Sequence, residues 1–80
     1  MNTNLIKEKI KESIIDADIK VIDTTGTNDH FKVIVISDEF KNMTLIERHR
    51  RVYKTIDQFL TKEIHALQLS TKTFEEDKNE

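Results

Sequence analysis

Eighty residues with a formal net charge of -2 make one small domain. The chain has no cysteine, which excludes disulfides, thiolate metal ligands and cysteine nucleophiles. Hydrophobic and charged residues are nearly balanced, at 36% and 35%, which fits a soluble domain with one thin core worth roughly 3–5 kcal/mol. A net charge of -2 is not the global balance of a dedicated nucleic-acid binder, although it is compatible with a local basic face.

Met1 to Ile10 is charged and lacks the continuous apolar run of a signal peptide, and nothing approaches the apolar length that spans a bilayer. The expected location is therefore the cytoplasm. Asn4 to Ala17 is predicted as a first helix. Ile6, Ile10, Ile14 and Ala17 recur at helical spacing, and Asn2, Thr3 or Asn4 can cap it. Ile19 to Asp23 is a short run rich in β-branched residues and predicts a strand. Thr24 to Asp29 is polar, holds the single glycine, Gly26, and reads as a connection between strands.

Phe31 to Ile36 predicts a second strand, with Phe31, Val33 and Val35 on one face and Lys32, Ile34 and Ile36 on the other. Ser37 to Met43 lacks helical periodicity and turns the chain. Thr44 and Glu47 then have the spacing of a capping box, opening a long helix expected to run to about Leu60. Leu45, His49, Val52, Ile56, Phe59 and Leu60 fall on one side of it, with Tyr53 beside them. Arg50, Arg51, Lys54 and Gln58 fall largely on the other. Ile64 to Ser70 predicts a third strand, and the acidic tail from Glu75 is expected to fray. There are no internal repeats and no prolines, so residues 1–80 are read as one domain. The expected class is α+β in the order α-β-β-α-β, a three-stranded sheet packed by one layer of helices.

Motifs for independent catalysis are missing: there is no phosphate-cradling glycine loop, no GxSxG elbow and no HExxH pair. The expectation is a protein that is not an enzyme. Three histidines remain. His49 lies on the apolar side of the long helix and is expected to be structural, packed with its ring nitrogen bonded to backbone. His65, between Ile64 and Ala66, shares a face with Leu67 and Leu69 by strand alternation; read alone, a lone strand histidine is more often structural than a ligand, since a neutral imidazole can simply pack. His30 ends the inter-strand connection, where loops host sites. Arg48, at the edge of the apolar stripe, can snorkel along it, and three histidines leave adventitious zinc open.

Several ordered motifs together carry more information. Glu47-Arg48-His49-Arg50-Arg51-Val52 followed by Ile64-His65-Ala66-Leu67 resembles the signature of the BolA-like family. His30-Phe31-Lys32-Val33, Val35-Ile36-Ser37-Asp38-Glu39-Phe40 and the trailing Lys72-Thr73-Phe74-Glu75-Glu76 fit the same family in the same order. The resemblance covers almost the whole chain and implies a BolA-like fold, similar to the second type of KH domain. It also implies a role for His65: in such proteins the histidine of this Ile-His-Ala segment ligates a [2Fe-2S] cluster shared with a monothiol glutaredoxin and glutathione. Family members supply a second ligand, cysteine or histidine, from the connection between the first two strands. Here His30 is the nitrogen donor available, although it stands next to the strand rather than at the usual cysteine position. Asp29 is expected either to serve as a poor oxygen ligand or to orient the His30 ring.

The implied function is that of an adaptor in iron–sulfur cluster trafficking or iron and redox sensing. It would form a heterodimer with the glutaredoxin, hold no cluster alone, and be a monomer or weak homodimer by itself. A second reading is a DNA-binding regulator of the BolA type. Arg50, Arg51 and Lys54, with Arg48 and Lys41 nearby, form a basic stripe that can contact phosphates or dock an acidic partner surface. The GXXG clamp of KH domains is absent. A third reading is a protein-interaction domain with no metal.

Overall fold

The computed structural model describes residues 2–59 and 66–79. The element order is α1 (Thr3–Ser13), β1 (Asp18–Asp23), β2 (His30–Ile36), a single 3-10 turn (Asp38–Phe40), α2 (Leu45–Ile56) continued by a 3-10 turn (Asp57–Phe59), β3 (Ala66–Lys72) and α3 (Phe74–Lys78). This is the expected α+β class with one further short helix. β2 is the central strand. It pairs antiparallel with β1, Val21 opposite Val33, and parallel with β3, Val33 opposite Leu69. The parallel pairing requires a crossover, which α2 supplies.

Strand alternation builds the core. Ile19, Phe31, Val33 and Val35 point from the sheet towards Ile6 and Ile10 of α1 and Val52 and Ile56 of α2, and all are buried. Ile14, Ala17 and Phe40 close the two ends of this layer. Each fully buried large side chain contributes about 1.5–3 kcal/mol.

The first helix ends at Ser13, four residues before the predicted Ala17. Ile14 leaves the helical region, yet Ile14 and Ala17 stay buried, so the apolar spacing outlasts the helix. The cause is tertiary. The Asp16 carboxylate accepts the Ser37 hydroxyl at 2.5 Å and the Asp38 N–H at 3.0 Å, which draws the chain off the helix axis towards the end of β2. Ser37 is itself buried and caps the 3-10 turn by accepting the Glu39 N–H.

α2 starts where the capping box predicts. Thr44 accepts the Glu47 N–H, and the Glu47 carboxylate accepts the Thr44 N–H at 2.8 Å. Leu45 departs from its predicted place on the apolar side: it is 63% exposed, and Met43, two residues earlier, packs against the core instead. The helix yields to a 3-10 turn after Ile56, and the expected end at Leu60 lies outside the described residues, as do Ile64 and His65. Where the acidic tail is expected to fray there is a short helix: Thr73 and Glu76 form a second capping box. No helix among the described residues is long and apolar enough to cross a membrane.

Candidate functional site

The connection between β1 and β2 is organised by one carboxylate. Asp23 accepts the backbone N–H groups of Thr25, Gly26 and Asn28 at 3.3, 2.9 and 3.0 Å. Gly26 and Asn28 take positive φ (79° and 60°), the left-handed region that glycine and asparagine enter at least cost. The loop hands the chain to β2 at His30. The His30 carbonyl accepts both the backbone N–H and the hydroxyl of Thr24, at 2.9 and 3.1 Å.

The His30 ring is oriented from the preceding residue. Its Nδ1–H donates to the Asp29 carboxylate at 2.8 Å, and that carboxylate also takes the Thr27 hydroxyl. A carboxylate on Nδ1 selects the tautomer and assigns the lone pair of the neutral ring to Nε2. Of the two expected roles for Asp29, this geometry is that of the ring-orienting residue. His30 is in register with Ala66, and the Ala66 N–H donates to the Asp29 carbonyl at 3.2 Å. A groove of about 300 Å³ lined by Thr24, His30, Phe31, Ala66, Leu67 and Gln68 runs beside this junction. His65, the predicted first ligand, lies outside the described residues; the residue that follows it in the chain is Ala66.

The basic residues of α2 separate into two kinds. Arg48 is a tie within the fold, its side chain only 14% exposed. It donates to the Met43 carbonyl at 3.1 Å and to Glu76 at 2.6 Å, joining the start of α2 to α3. Arg51 donates to Glu39 at 2.5 Å and to the Ser13 carbonyl at 2.9 Å, placing a cation at the C-terminal end of α1. Arg50 and Lys54 are exposed and make no ion pair with another described residue. Lys41 is exposed and lies 3.8 Å from Asp38. His49 is half-buried, its ring edge-on to Tyr53 one turn later at 6.4 Å between centroids. Sequence reasoning thus finds the basic stripe but not its division, because the partners of Arg48 and Arg51 are 28, 12 and 38 residues distant in the chain.

Three carboxyl groups sit below their ordinary pKa. The Ser37 hydroxyl lowers Asp16, the Thr44 N–H lowers Glu47, and Arg48 lowers Glu76. All three serve folding contacts rather than a reaction. Among the described residues no group of three or more His, Cys, Asp or Glu side chains could hold a metal ion.

The profile of the BolA family, described as "BolA-like protein", matches residues 5–76. The chain is 33% identical over 78 residues to the DNA-binding transcriptional regulator BolA of Escherichia coli K12, an alignment covering 89% of this chain and 74% of that protein. Its fold is similar to that of BolA1 from Arabidopsis thaliana, with a TM-score of 0.84 at 28% identity over 95% of this chain and 96% of the other. It is also similar to yeast Fra2, with a TM-score of 0.76 at 31% identity over 95% and 83% of the two chains. Profile, relatives and folds agree with the motifs at His30-Phe31 and Arg48-His49-Arg50: the chain belongs to the BolA-like protein family.

Proposed function

We propose that this chain is a cytoplasmic adaptor that pairs with a monothiol glutaredoxin and lends imidazole nitrogen to a [2Fe-2S] cluster, in cluster trafficking or iron and redox sensing. The observation that carries the reading is the donor set. A [2Fe-2S] cluster takes four donors, ordinarily thiolates, with histidine as the replacement. This chain has no thiolate to offer. It does have an imidazole at the start of β2 whose ring Asp29 orients, in register with the residue after His65. Such a set fits a shared shell, with sulfur from the glutaredoxin cysteine and glutathione, and does not fit a cluster held alone. His65 is the first proposed ligand and His30 the second.

The docking surface we assign to the partner is α2, the turn before it and β3. Arg50, Lys54 and Lys41 offer exposed charge there, and Leu45 and Ile46, 63% and 64% exposed, offer apolar contact. Co-expression with a monothiol glutaredoxin is expected to yield a coloured heterodimer containing iron and sulfide, with a visible spectrum distinct from that of the glutaredoxin alone. His65→Ala and His30→Ala should each alter that spectrum. A colourless, iron-free complex overturns the reading in favour of a metal-free interaction domain, and an unchanged spectrum in either variant removes that residue from the ligand set.

The second reading is DNA binding, favoured by the name of the Escherichia coli relative and by the exposure of Arg50 and Lys54. Gel shifts at two salt concentrations separate the classes. If the stripe contacts phosphates, replacing Arg50 and Lys54 by Ala reduces the salt slope by about 2. No shift at physiological salt, together with glutaredoxin-dependent colour, selects the adaptor.

A further inference from the structure

We propose that the open face of the sheet is a docking surface for an acidic, amphipathic helix of a partner protein. The inference goes beyond the cluster reading and does not depend on it. Both long helices pack on the sheet face that carries Ile19, Phe31, Val33 and Val35. Strand alternation turns Lys20, Ile22, Lys32 and Ile34 to the opposite face. Lys20, Ile22 and Lys32 are exposed there, and Ile34 is half-buried.

The strand register sets these four side chains in a checkerboard. Lys20 stands opposite Ile34, and Ile22 opposite Lys32, across the antiparallel β1–β2 pair. The two lysines therefore occupy one diagonal and the two isoleucines the other. Diagonal neighbours on one sheet face are about 7–8 Å apart. On β3, Gln68 continues the row of Lys32 and Ser70 the row of Ile34, which adds polar groups without charge.

The charge of this face calls for an acidic occupant. No carboxylate forms an ion pair with Lys20 or Lys32 among the described residues. Asp18 stands at the corner of the face, in one row with Ile36 and Lys72. Lys7 of α1 adds a cation at the β1 margin, in a groove of about 360 Å³ shared with Lys20 and Ile22. The face is thus positive on a chain whose net charge is -2. The remainder of the surface is more acidic still, so an acidic partner is repelled elsewhere and steered here. Lysines alone would make an ordinary solvated face; the isoleucines set between them, Ile22 at 47% exposure, add apolar area for a partner to cover.

A helix supplies the matching pattern. Residues i, i+3, i+4 and i+7 form a rhombus on its surface. Carboxylates at i and i+7, about 10.5 Å apart along the axis, come within reach of the two flexible lysine stems. Apolar residues at i+3 and i+4, between them, meet Ile22 and Ile34. Nucleic acid fits less well, because the face offers no Phe, Tyr or Trp on which a base could stack. A bilayer fits less well because Ile34, on the central strand, is half-buried and cannot insert. The face lies across the sheet from α2, so an occupant leaves the surface of α2 open to a second protein.

The test uses a labelled helical peptide with Glu at i and i+7 and Leu at i+3 and i+4, titrated with the purified full chain. Fluorescence anisotropy should show saturable binding that weakens as salt rises. Amide chemical shifts should map it to Lys20, Ile22, Lys32 and Ile34. The variant Lys20→Glu/Lys32→Glu alters only exposed side chains, so it should stay folded by circular dichroism and bind the peptide about tenfold more weakly. A peptide with Lys in place of both Glu should bind that variant and not the wild type. No saturable binding, shifts confined to α2, or equal affinity in the double variant overturns the proposal. Tighter binding of a poly-dT oligonucleotide or of phosphatidylserine vesicles through the same two lysines overturns it as well.

Discussion

Each arginine in the Arg48-His49-Arg50-Arg51 run is decided by what its guanidinium meets. Arg48 and Arg51 are consumed within the fold, whereas Arg50 has no ion-pair partner among the described residues. Arg48→Ala is expected to lower stability by about 1–3 kcal/mol, because two charge-assisted or carbonyl contacts disappear from a mostly buried side chain. Arg50→Ala should change stability by less than about 0.5 kcal/mol. Urea titrations of both variants provide the check, and they make any loss of partner or DNA binding in Arg50→Ala attributable to the interface. Thr71 gives the opposite case. Its hydroxyl is buried and has no hydrogen-bond partner among the described residues, so Thr71→Val should stabilise the chain by about 1 kcal/mol, seen as a higher denaturant midpoint. Asp16 sets part of the acid limit. The Ser37 hydroxyl, and with it the Asp38 N–H, holds its carboxyl below the ordinary aspartate value of 3.8. A depressed folded pKa contributes stability that is present above the unfolded value and lost as pH falls through the folded one. The stability gap between wild type and Asp16→Asn should therefore narrow below pH 3.8 in denaturation midpoints measured against pH.

At the scale of elements, the local signals for starting helices proved more reliable than those for ending them. Thr44 with Glu47 marks the start of α2 from four residues of sequence, and Thr73 with Glu76 carries the same spacing before α3. That second signal was legible, but the acidic run after Glu75 reads as a solvated tail if the threonine before it is passed over. Replacing Thr44 or Thr73 by Ala should cost about 1 kcal/mol each. Thr73→Ala should in addition loosen the Arg48–Glu76 tie, which amide exchange across residues 74–78 will register. The end of α1 was not legible in the same way, because Ser37 and Asp38, 21 and 22 residues further on, hold Asp16 away from helical geometry. A side-chain contact across that distance has no periodic trace.

For the whole molecule, one layer of helices against one sheet leaves little redundancy. Phe40 closes the core at the end of β2 and is fully buried. Phe40→Ala should cost about 3–5 kcal/mol, which is comparable to the roughly 3–5 kcal/mol that a core of this size supplies. The variant is expected to be largely unfolded at neutral pH by near-ultraviolet circular dichroism. The same thin construction explains why the ties made by Arg48, Arg51 and Asp16 hold the periphery. Arg48 and Arg51 link α3, the end of α1 and the 3-10 turn to α2, and Asp16 links the segment after α1 to the end of β2.

The sequence by itself determined the elements and the buried face, since the 3.6- and 2-residue periods of Ile6–Ile10 and Phe31–Val33–Val35 are local consequences of backbone geometry. It also determined the family, through ordered motifs, and the absence of any thiolate donor, through composition. Only the tertiary structure decided which arginines face outward, how Asp29 sets the His30 ring, that β3 pairs parallel to β2, and which side chains are neighbours on the open face of the sheet. Those outcomes depend on atoms far apart in the chain meeting in space, and neither spacing nor composition encodes a distance.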